Sequence, residues 1–596
     1  MREGRGISRR ELLRRAGLGL GAVSVGRLLG AGPAWAATGT GAATRAAEAA
    51  GVTEPLMLAR VKPTSAAQAV ALAAFDDTHR RFRDGSIEVL LWPGDLARLE
   101  QLGIDHTITC RDVVARDASE SEASSDAPAL GLINMPGGDR TGYRQLADYE
   151  NELKQLPRTY PHLARLITFP ERTLEGRLVH GIEIAANVGV VDGRPMAYID
   201  GVHHAREWPA AEYPMIFAHY LLENYGKDQR VTSLLNRCRV SILPVQNPDG
   251  FAYTRAGLEN SNLSIVAGGQ GAYWRKNRRG VGQENEANGL NPTAFGVDPN
   301  RNYPFLWGAT TGGAAGYVDP VPAYASTSPN PLDQTYYGRD ALSEPETRNV
   351  AGYLLSRNVT GMITNHTYGR LVLRPWGHTN TPTVDETLMR TVGAQMASAM
   401  GGYANQIGLG LYPTTGTTDD WYYAAASAIG YTFEHGTAFH PNYTSGENAV
   451  RNFWPRSMNA FMILCEAAAD PAKHCVVRGR AIEPVPGQEP KPVVVSLDAH
   501  KEFDTPMWQQ GATGIGPLLA QKTATREVLD LNSASDLQGV IEWHLNPTTR
   551  PLEAAAGRTE TYRLRIAAPG YRPKIQDIVL TRGEVLDLQD VVMERA

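Results

Sequence analysis

Cysteine and long apolar runs are scarce in this chain, and each scarcity excludes a class of protein. Four cysteines among 596 residues are too few for a disulfide-stabilised scaffold. Two states stay open for them: a disulfide joins Cys465 and Cys475 across a domain junction, or they are separate buried thiols. Beyond residue 36 no stretch is long and apolar enough to span a bilayer. Long charged runs are few and the net charge is −5, which argues against nucleic acid or an anionic membrane as the main partner.

The first residues have the pattern of an export signal. Residues 1–36 contain the twin-arginine pattern Ser8-Arg9-Arg10, a mildly apolar stretch, and the small-x-small site Ala34-Trp35-Ala36. This order predicts a twin-arginine signal peptide rather than a basic amphipathic helix. We therefore expect the folded chain to be exported, and to be secreted, periplasmic or associated with the cell wall.

Three further segments follow the signal peptide, since the length exceeds one ordinary domain. Residues 37–127 predict a small α/β unit, with a helix over Ala66–Phe82, and an exposed linker over 117–128. Residues 128–470 alternate strand and helix patterns, which predicts an α/β domain with a mixed sheet covered by helices on both faces. Residues 471–596 contain short strands between Pro- and Gly-marked turns, the pattern of a small β-sandwich.

A histidine and a glutamate three residues apart follow the strand-like segment 196–199. These residues are His204 and Glu207, and imidazole and carboxylate are ligands of a catalytic zinc that keeps one position open for water. His203 should point the opposite way in an extended segment, and we interpret it as structural. A bare His-x-x-Glu pair is a weak signal, because it is expected by chance about once in a chain of this length.

Further motifs occur in order behind this pair. They are Trp274-Arg275-Lys276, Val297-Asp298-Pro299-Asn300-Arg301, Thr364-Asn365-His366-Thr367-Tyr368, and Asp420-Trp421 followed by Glu434. Together with the pair they resemble the M14 zinc carboxypeptidases, the family of the pancreatic carboxypeptidases A and B. The resemblance covers about Tyr143 to Ala469. It implies an α/β zinc carboxypeptidase fold, with an eight-stranded type of mixed sheet flanked by helices.

The resemblance also implies a metal centre and a proton carrier. One Zn²⁺ would be held by His204, Glu207 and His366. Asp298 would accept a hydrogen bond from His204 and so fix the tautomer of that ligand. Glu434 would take a proton from water and pass it to the leaving amine.

Substrate contacts are implied in the same way. The positions that match substrate-binding residues of the family are Arg206, Asn300, Arg301, Tyr412 and Asp419. Arg275 matches the residue that stabilises the oxyanion. Arg301 with Asn300 would grip the free C-terminal carboxylate, because a guanidinium can form two parallel hydrogen bonds to it. Asp419 falls at the floor of the side-chain pocket, which implies that C-terminal Lys or Arg is accepted, alongside apolar residues. The alternative is that neighbouring Thr hydroxyls satisfy Asp419 and it selects nothing.

Two terminal units extend beyond the resemblance. The unit at 37–127 is reminiscent of the family's inhibitory prosegment, and an accessory domain is the alternative. The C-terminal unit resembles the transthyretin-like sandwiches attached to some carboxypeptidases. Trp508 and Trp543 there suggest either a sugar-binding platform or, as we expect, core packing.

The sequence therefore predicts an exported zinc-dependent carboxypeptidase that hydrolyses the C-terminal bond of peptides and proteins. We expect a monomer, with no nucleic-acid partner and no membrane span after signal removal. A peptidoglycan stem-peptide peptidase of the same fold is the alternative, with Asp419 meeting the amine of a diamino acid. A non-catalytic binding protein is a third hypothesis, and the intact ligand and catalytic positions argue against it.

Overall fold

The structure is a computed structural model, and it covers most of the chain after residue 53. The residues it describes are 54–72, 74–117, 119, 135–138, 140–256, 269–280, 296–309, 326–331, 333–446, 449–506, 524–551 and 560–596. The predicted signal peptide, most of the predicted linker and Trp508 lie outside these residues.

The N-terminal unit is a four-stranded antiparallel sheet in the order β2-β3-β1-β4 with two helices. Its elements are β1 (Met57–Lys62), α1 (Ala66–Leu72), β2 (Asp76–Arg81), β3 (Ile87–Leu91), α2 (Asp95–Gln101) and β4 (Asp105–Cys110). The prediction of one helix through Phe82 is wrong, because α1 ends at Leu72 and the following residues form β2. Pairing with β3 overrides the local helix pattern there, where the run Asp76-Asp77-Thr78 has low helix propensity.

The central domain has an eight-stranded mixed sheet, in the order β11-β10-β12-β9-β7-β8-β6-β5. Its strands are β5 (Ala164–Thr168), β6 (His180–Ile184), β7 (Met196–Gly201), β8 (Arg239–Leu243), β9 (Val359–Thr367), β10 (Leu371–Arg374), β11 (Ala404–Ile407) and β12 (Ile429–His435). Its helices are α3 (Leu146–Thr159), α4 (Pro209–Asn224), α5 (Gln229–Arg237), α6 (Pro248–Arg255), α7 (Pro345–Leu355), α8 (Glu386–Ala399), α9 (Thr418–Ala426) and α10 (Val450–Ala469).

The middle of this sheet places the ends of three strands side by side. Strands β7, β9 and β12 pair in parallel, and every residue in them is buried. Burial on both faces explains the apolar residues of these segments, and the polar residues gather toward their carboxyl ends. The carboxyl ends of parallel strands meet at one edge of a sheet, which is where sites form in α/β proteins. Glu434 accordingly pairs in register with His366, and Gly201 with Asn365.

The C-terminal unit consists of two four-stranded sheets that form the predicted β-sandwich. Its strands are β13 (Cys475–Glu483), β14 (Lys491–Pro492), β15 (Ser496–Pro506), β16 (Ala524–Ala534), β17 (Val540–Leu545), β18 (Tyr562–Ala567), β19 (Lys574–Ile578) and β20 (Val585–Val592). Strand β13 pairs with β14, β17 and β20 in one sheet, and the other has the order β16-β15-β18-β19. Trp543 is 1% exposed, so core packing is its role. Cys465 and Cys475 are free buried thiols, which resolves the alternative left open by the sequence.

Among the described residues, no helix combines the length and apolar character that crossing a membrane requires.

Candidate active site

Two imidazoles and one carboxylate converge at the edge where β7 and β9 end. The His366 Nδ1 atom lies 3.1 Å from His204 Nδ1 and 2.9 Å from Glu207 Oε2, and His204 Nδ1 lies 2.7 Å from Glu207 Oε1. All three side chains are buried, and their ligand atoms lie within 4.8 Å of one another. Burial works to raise the pKa of Glu207, but the two imidazoles outweigh it and hold the pKa well below its usual range. This donor set and spacing fit one zinc ion.

A tight turn between β7 and α4 brings the first two ligands together. Val202 adopts a left-handed φ of +56°, which turns the chain sharply as it leaves the strand. The Glu207 amide then donates to the His204 carbonyl at 3.1 Å. A Cβ at Gly201 would lie 2.0 Å from the Ala210 carbonyl oxygen, so only glycine lets α4 begin this close to the strand end.

Asp298 joins the metal ligands to a buried arginine. Its Oδ1 lies 3.1 Å from His204 Nε2 and accepts a hydrogen bond from the backbone N–H of Asn300 at 2.9 Å. Its Oδ2 accepts from Arg275 Nη2 at 2.8 Å and from Nε at 3.1 Å. Burial opposes the charge of Asp298, but Arg275 and His204 keep its pKa well below the usual range. The carboxylate is therefore able to hold the His204 tautomer that leaves Nδ1 free for a metal.

A small cavity is lined by the two candidate histidine ligands and by five of the other predicted residues. Its lining includes His204, His366, Asn300, Arg301, Tyr412, Asp419 and Glu434. Glu434 is 3% exposed and its Oε2 has no hydrogen-bond partner among the described residues. Arg301 Nη2 is also buried and unpartnered there, while its Nε donates to the Ser326 carbonyl at 2.6 Å. The cavity thus offers an unsatisfied acceptor and an unsatisfied cationic donor near the ligands.

Asp419 lies in this cavity at the start of α9. It is 7% exposed, and Thr432 Oγ1 donates to its Oδ2 at 3.1 Å. Burial, and then the neighbouring charge of Asp420, raise its pKa to about 6. Within the described part of the chain no Lys or Arg forms an ion pair with it, so its charge lacks a fixed cationic partner. A threonine contact of the kind the sequence left open is present, but it does not neutralise the charge.

The N-terminal unit reaches into the same site from β2. Arg206 is fully buried and donates to both oxygens of Asp76, from Nη1 at 2.5 Å and from Nη2 at 2.6 Å. His79 has a φ of +70° at an irregularity in the β2–β3 pairing. Its Nε2 lies 2.9 Å from the Tyr412 hydroxyl and its Nδ1 lies 3.4 Å from Glu434 Oε1. Sequence reasoning missed Asp76 and His79, because these residues lie outside the motifs that carry the resemblance.

Comparison with known proteins identifies the family. The family model Peptidase_M14, described as zinc carboxypeptidase, matches residues 149–460. The chain belongs to the zinc carboxypeptidase family. This carboxypeptidase is therefore a zinc-dependent hydrolase that acts on peptide C-termini.

Individual relatives agree with this assignment. Zinc carboxypeptidase A 1 of Anopheles gambiae is 28% identical over 399 residues, which cover 63% of this chain and 81% of the relative. Carboxypeptidase B of Helicoverpa zea is 28% identical over 366 residues, covering 57% and 74%. The crystal structure of carboxypeptidase A from Helicoverpa armigera superposes with a TM-score of 0.54 at 20% identity, covering 70% of this chain and 98% of that one. Thrombin activatable fibrinolysis inhibitor gives a TM-score of 0.52 at 19% identity with the same coverage. The two solved structures establish the likeness of fold.

Proposed function

We propose that this metallocarboxypeptidase acts outside the cytoplasm and prefers C-terminal Lys or Arg, while also accepting apolar residues. We further propose that its N-terminal unit keeps it latent. The observation that carries the proposal is the cavity shared by His204, His366, Arg301 and Asp419. It places a metal site, a free guanidinium edge and a buried acid within one enclosed space.

The chain's own groups have the positions that the reaction needs. Zinc held by His204, Glu207 and His366 would supply Lewis-acid chemistry that activates water and polarises a carbonyl. The free Oε2 of Glu434 is placed to take a proton from water and to deliver it to the leaving amine. Arg275, fixed by Asp298, provides positive charge for the oxyanion.

Substrate recognition would begin at the terminal carboxylate. The free Nη2 of Arg301 offers a charge-assisted hydrogen bond, and Asn300 lies beside it in the cavity lining. A peptide without a free carboxylate would leave this buried donor unpaired, which costs binding energy. This requirement restricts cleavage to the last peptide bond.

Asp419 supports a preference for basic side chains. A buried carboxylate without a cationic partner is costly, and an incoming ammonium or guanidinium would remove that cost. An apolar side chain would leave the charge uncompensated unless Asp419 takes up a proton. Its raised pKa makes that protonation accessible near neutral pH, which supports acceptance of apolar residues as well.

The first test compares hydrolysis of matched short peptides that end in Lys, Arg or Leu, as free acids and as amides. We expect the acids to be hydrolysed and the amides to resist. Lys and Arg acids should be preferred over Leu, with Asp419→Asn lowering that preference by roughly tenfold. Equal rates on acids and amides would contradict the assignment of Arg301. Cleavage of muropeptides alone would favour the peptidoglycan alternative.

Latency is supported by the contacts of β2 with the site. Asp76 occupies Arg206, which the resemblance assigns to substrate binding, and His79 lies between Tyr412 and Glu434. A peptide substrate needs the same space. The exposed linker predicted over 117–128 would be the cleavage site that releases the unit.

Export and a monomeric state remain proposals that rest on the sequence. The twin-arginine pattern, the apolar stretch and the Ala34-Trp35-Ala36 site support export through the twin-arginine route. Replacing Arg9 and Arg10 with Lys should retain the chain in the cytoplasm, as seen by cell fractionation. Unchanged export would refute the route.

Light scattering of the purified protein tests the proposed monomeric state.

A further inference from the structure

His203 has no role in the proposed reaction, yet both of its ring nitrogens have specific partners. It is fully buried beside the metal ligand His204 and its ring stacks on His366, with centroids 5.3 Å apart. Its Nδ1 lies 3.1 Å from Thr364 Oγ1, and its Nε2 lies 2.8 Å from Thr418 Oγ1. The ring therefore connects a hydroxyl of β9 with a hydroxyl of α9.

The hydroxyl on α9 contacts Asn300. The Oδ1 atom of Asn300 accepts from the Thr418 amide at 3.0 Å and from Thr418 Oγ1 at 3.2 Å. Because the Thr418 hydroxyl donates to Asn300, it accepts from His203, whose Nε2 must then carry the hydrogen. The remaining nitrogen, Nδ1, accepts from Thr364. The Tyr303 hydroxyl also lies 3.4 Å from His203 Nε2, which is farther than Thr418 Oγ1.

The opposite end of the series reaches the metal site. Thr364 Oγ1 lies 3.3 Å from His366 Nε2. His366 turns its Nδ1 toward Glu207, so its Nε2 carries the hydrogen. Of the two polar atoms near this Nε2, Thr364 Oγ1 at 3.3 Å can accept that hydrogen, whereas Asn300 Nδ2 at 3.4 Å is itself a donor. The hydrogen bonds thus run in one direction from His366 through Thr364, His203 and Thr418 to Asn300.

We propose that His203 and Thr418 are positioning residues that fix the side-chain amide of Asn300. An amide has nearly the same shape after a half-turn, so only its hydrogen bonds decide which end faces the substrate. With Oδ1 held by Thr418, the Nδ2–H₂ group lies 3.4 Å from His366 Nε2, in the cavity that both side chains line, where it can donate to the terminal carboxylate beside Arg301. This inference rests on the proposed function, in which Asn300 and Arg301 bind that carboxylate.

The test measures binding rather than turnover. The full chain carrying Glu434→Gln, cleaved in the linker if the intact protein does not bind, is titrated calorimetrically with a short peptide ending in Lys. The same peptide as its amide is the second ligand. Thr418→Val removes the hydroxyl and keeps the shape, and Thr418→Ser keeps the hydroxyl. Thr415→Val is the matched control, because it removes another buried hydroxyl, three residues before Thr418, that donates to the Ala309 carbonyl.

We expect Thr418→Val to weaken binding of the acid by roughly tenfold and to leave binding of the amide unchanged, since it loosens one neutral hydrogen bond. Thr418→Ser and Thr415→Val should bind both ligands as the Glu434→Gln protein does. His203→Leu should match Thr418→Val, and the double variant should be no weaker than either, because the two residues act as one unit. Zinc content should not change in Thr418→Val.

Two results would overturn the inference. One is an equal loss for acid and amide in Thr418→Val, or no loss. The other is additive losses in the double variant. If the Glu434→Gln protein itself does not prefer the acid, the proposed function fails, and the inference fails with it. Should His203→Leu not fold, the Thr418 pair of variants decides alone.

Discussion

At the scale of single residues, the site depends on buried charges that hold one another. Asp298 touches His204, Arg275 and the backbone of Asn300 at once. Removing one partner from such a set leaves an uncompensated buried charge, which typically costs about 3–5 kcal/mol. The geometry of the metal ligands is therefore tied to the geometry of the substrate-binding residues.

The raised pKa of Asp419 predicts that the proposed preference for basic residues depends on pH. Its pKa is about 6 in the folded protein, so the side chain is mostly neutral at pH 5 and mostly charged at pH 7.5. The ratio of kcat/KM for a Lys peptide to that for a Leu peptide should therefore rise by roughly tenfold between these values. Effects of pH on the shared chemistry cancel in the ratio.

The control for this pH effect is Asp419→Asn, which cannot ionise. Its Lys-to-Leu ratio should be the same at both pH values. A rise in the Asn variant as large as that in the parent would mean that another group controls the selectivity.

At the scale of secondary-structure elements, the sequence predicted the sheet better than the contacts between units. The apolar runs at 196–199 and around Met362 are strands β7 and β9, and the motif residues follow or end them as expected. These predictions are confirmed, because parallel strands that are buried on both faces contain short apolar runs. The assignments of catalytic and binding roles came from resemblance, since a lone Glu434 or Arg301 carries little information by itself.

At β2 the sequence predicted a helix where the structure has a strand. The periodic Ala-rich start of the predicted helix 66–82 is genuine in α1, but strand pairing decides the rest. The irregularity in the β2–β3 pairing at His79 has no local signature in the sequence. The contact of His79 with Tyr412 joins residues 333 positions apart, so local sequence patterns do not predict it.

The contact between β2 and Arg206 predicts how latency can be weakened. Asp76→Asn removes the negative charge that pairs with the buried guanidinium, so the N-terminal unit should bind the site less tightly. Activity is measured before and after limited proteolysis of the linker. We expect cleavage to activate the parent strongly, and the activation ratio of Asp76→Asn to be at least about tenfold smaller.

The matched control is Asp84→Asn, which removes an exposed ion pair with Arg60 inside the same unit. Its activation ratio should equal that of the parent. If the intact parent is already as active as the cleaved protein, the unit is an accessory domain and not an inhibitor.

At the scale of the whole molecule, the C-terminal sandwich supports the pocket of the catalytic domain. Trp421 follows the pocket residues on α9, and its indole N–H donates to Glu527 of β16 at 2.9 Å. The same indole stacks on Tyr303, with ring centroids 5.3 Å apart. Arg582 also crosses the interface and donates to both oxygens of Asp385 at 2.6 and 2.7 Å. These contacts join the C-terminal unit to α9, which carries Asp419, and to the residues that precede α8.

Glu527 gives this interface a dependence on pH. Burial raises its pKa to about 7, although hydrogen bonds from Thr505 and Trp421 oppose the rise. The folded state therefore binds a proton that the unfolded chain releases near pH 4.5, and stability falls as the pH rises from there toward 7. Glu527→Gln removes this loss, so its melting temperature should gain on that of the parent between pH 5 and pH 8.

The exposed Glu489→Gln is the matched control for that substitution. Thermal unfolding of the three proteins at the two pH values provides the comparison. A difference between Glu527→Gln and the parent that does not change with pH would show that the buried carboxyl is not protonated in the folded protein.

We propose that His204, Glu207 and His366 hold one catalytic zinc beside Glu434. The most direct test of this proposal is the zinc content and peptidase activity of the cleaved parent, His366→Ala and Glu434→Gln, with folding verified by circular dichroism. We predict one zinc per chain in the parent and in Glu434→Gln, with activity in the parent alone. His366→Ala should lose both zinc and activity. Full zinc content in His366→Ala, or near-normal activity in Glu434→Gln, would contradict the account.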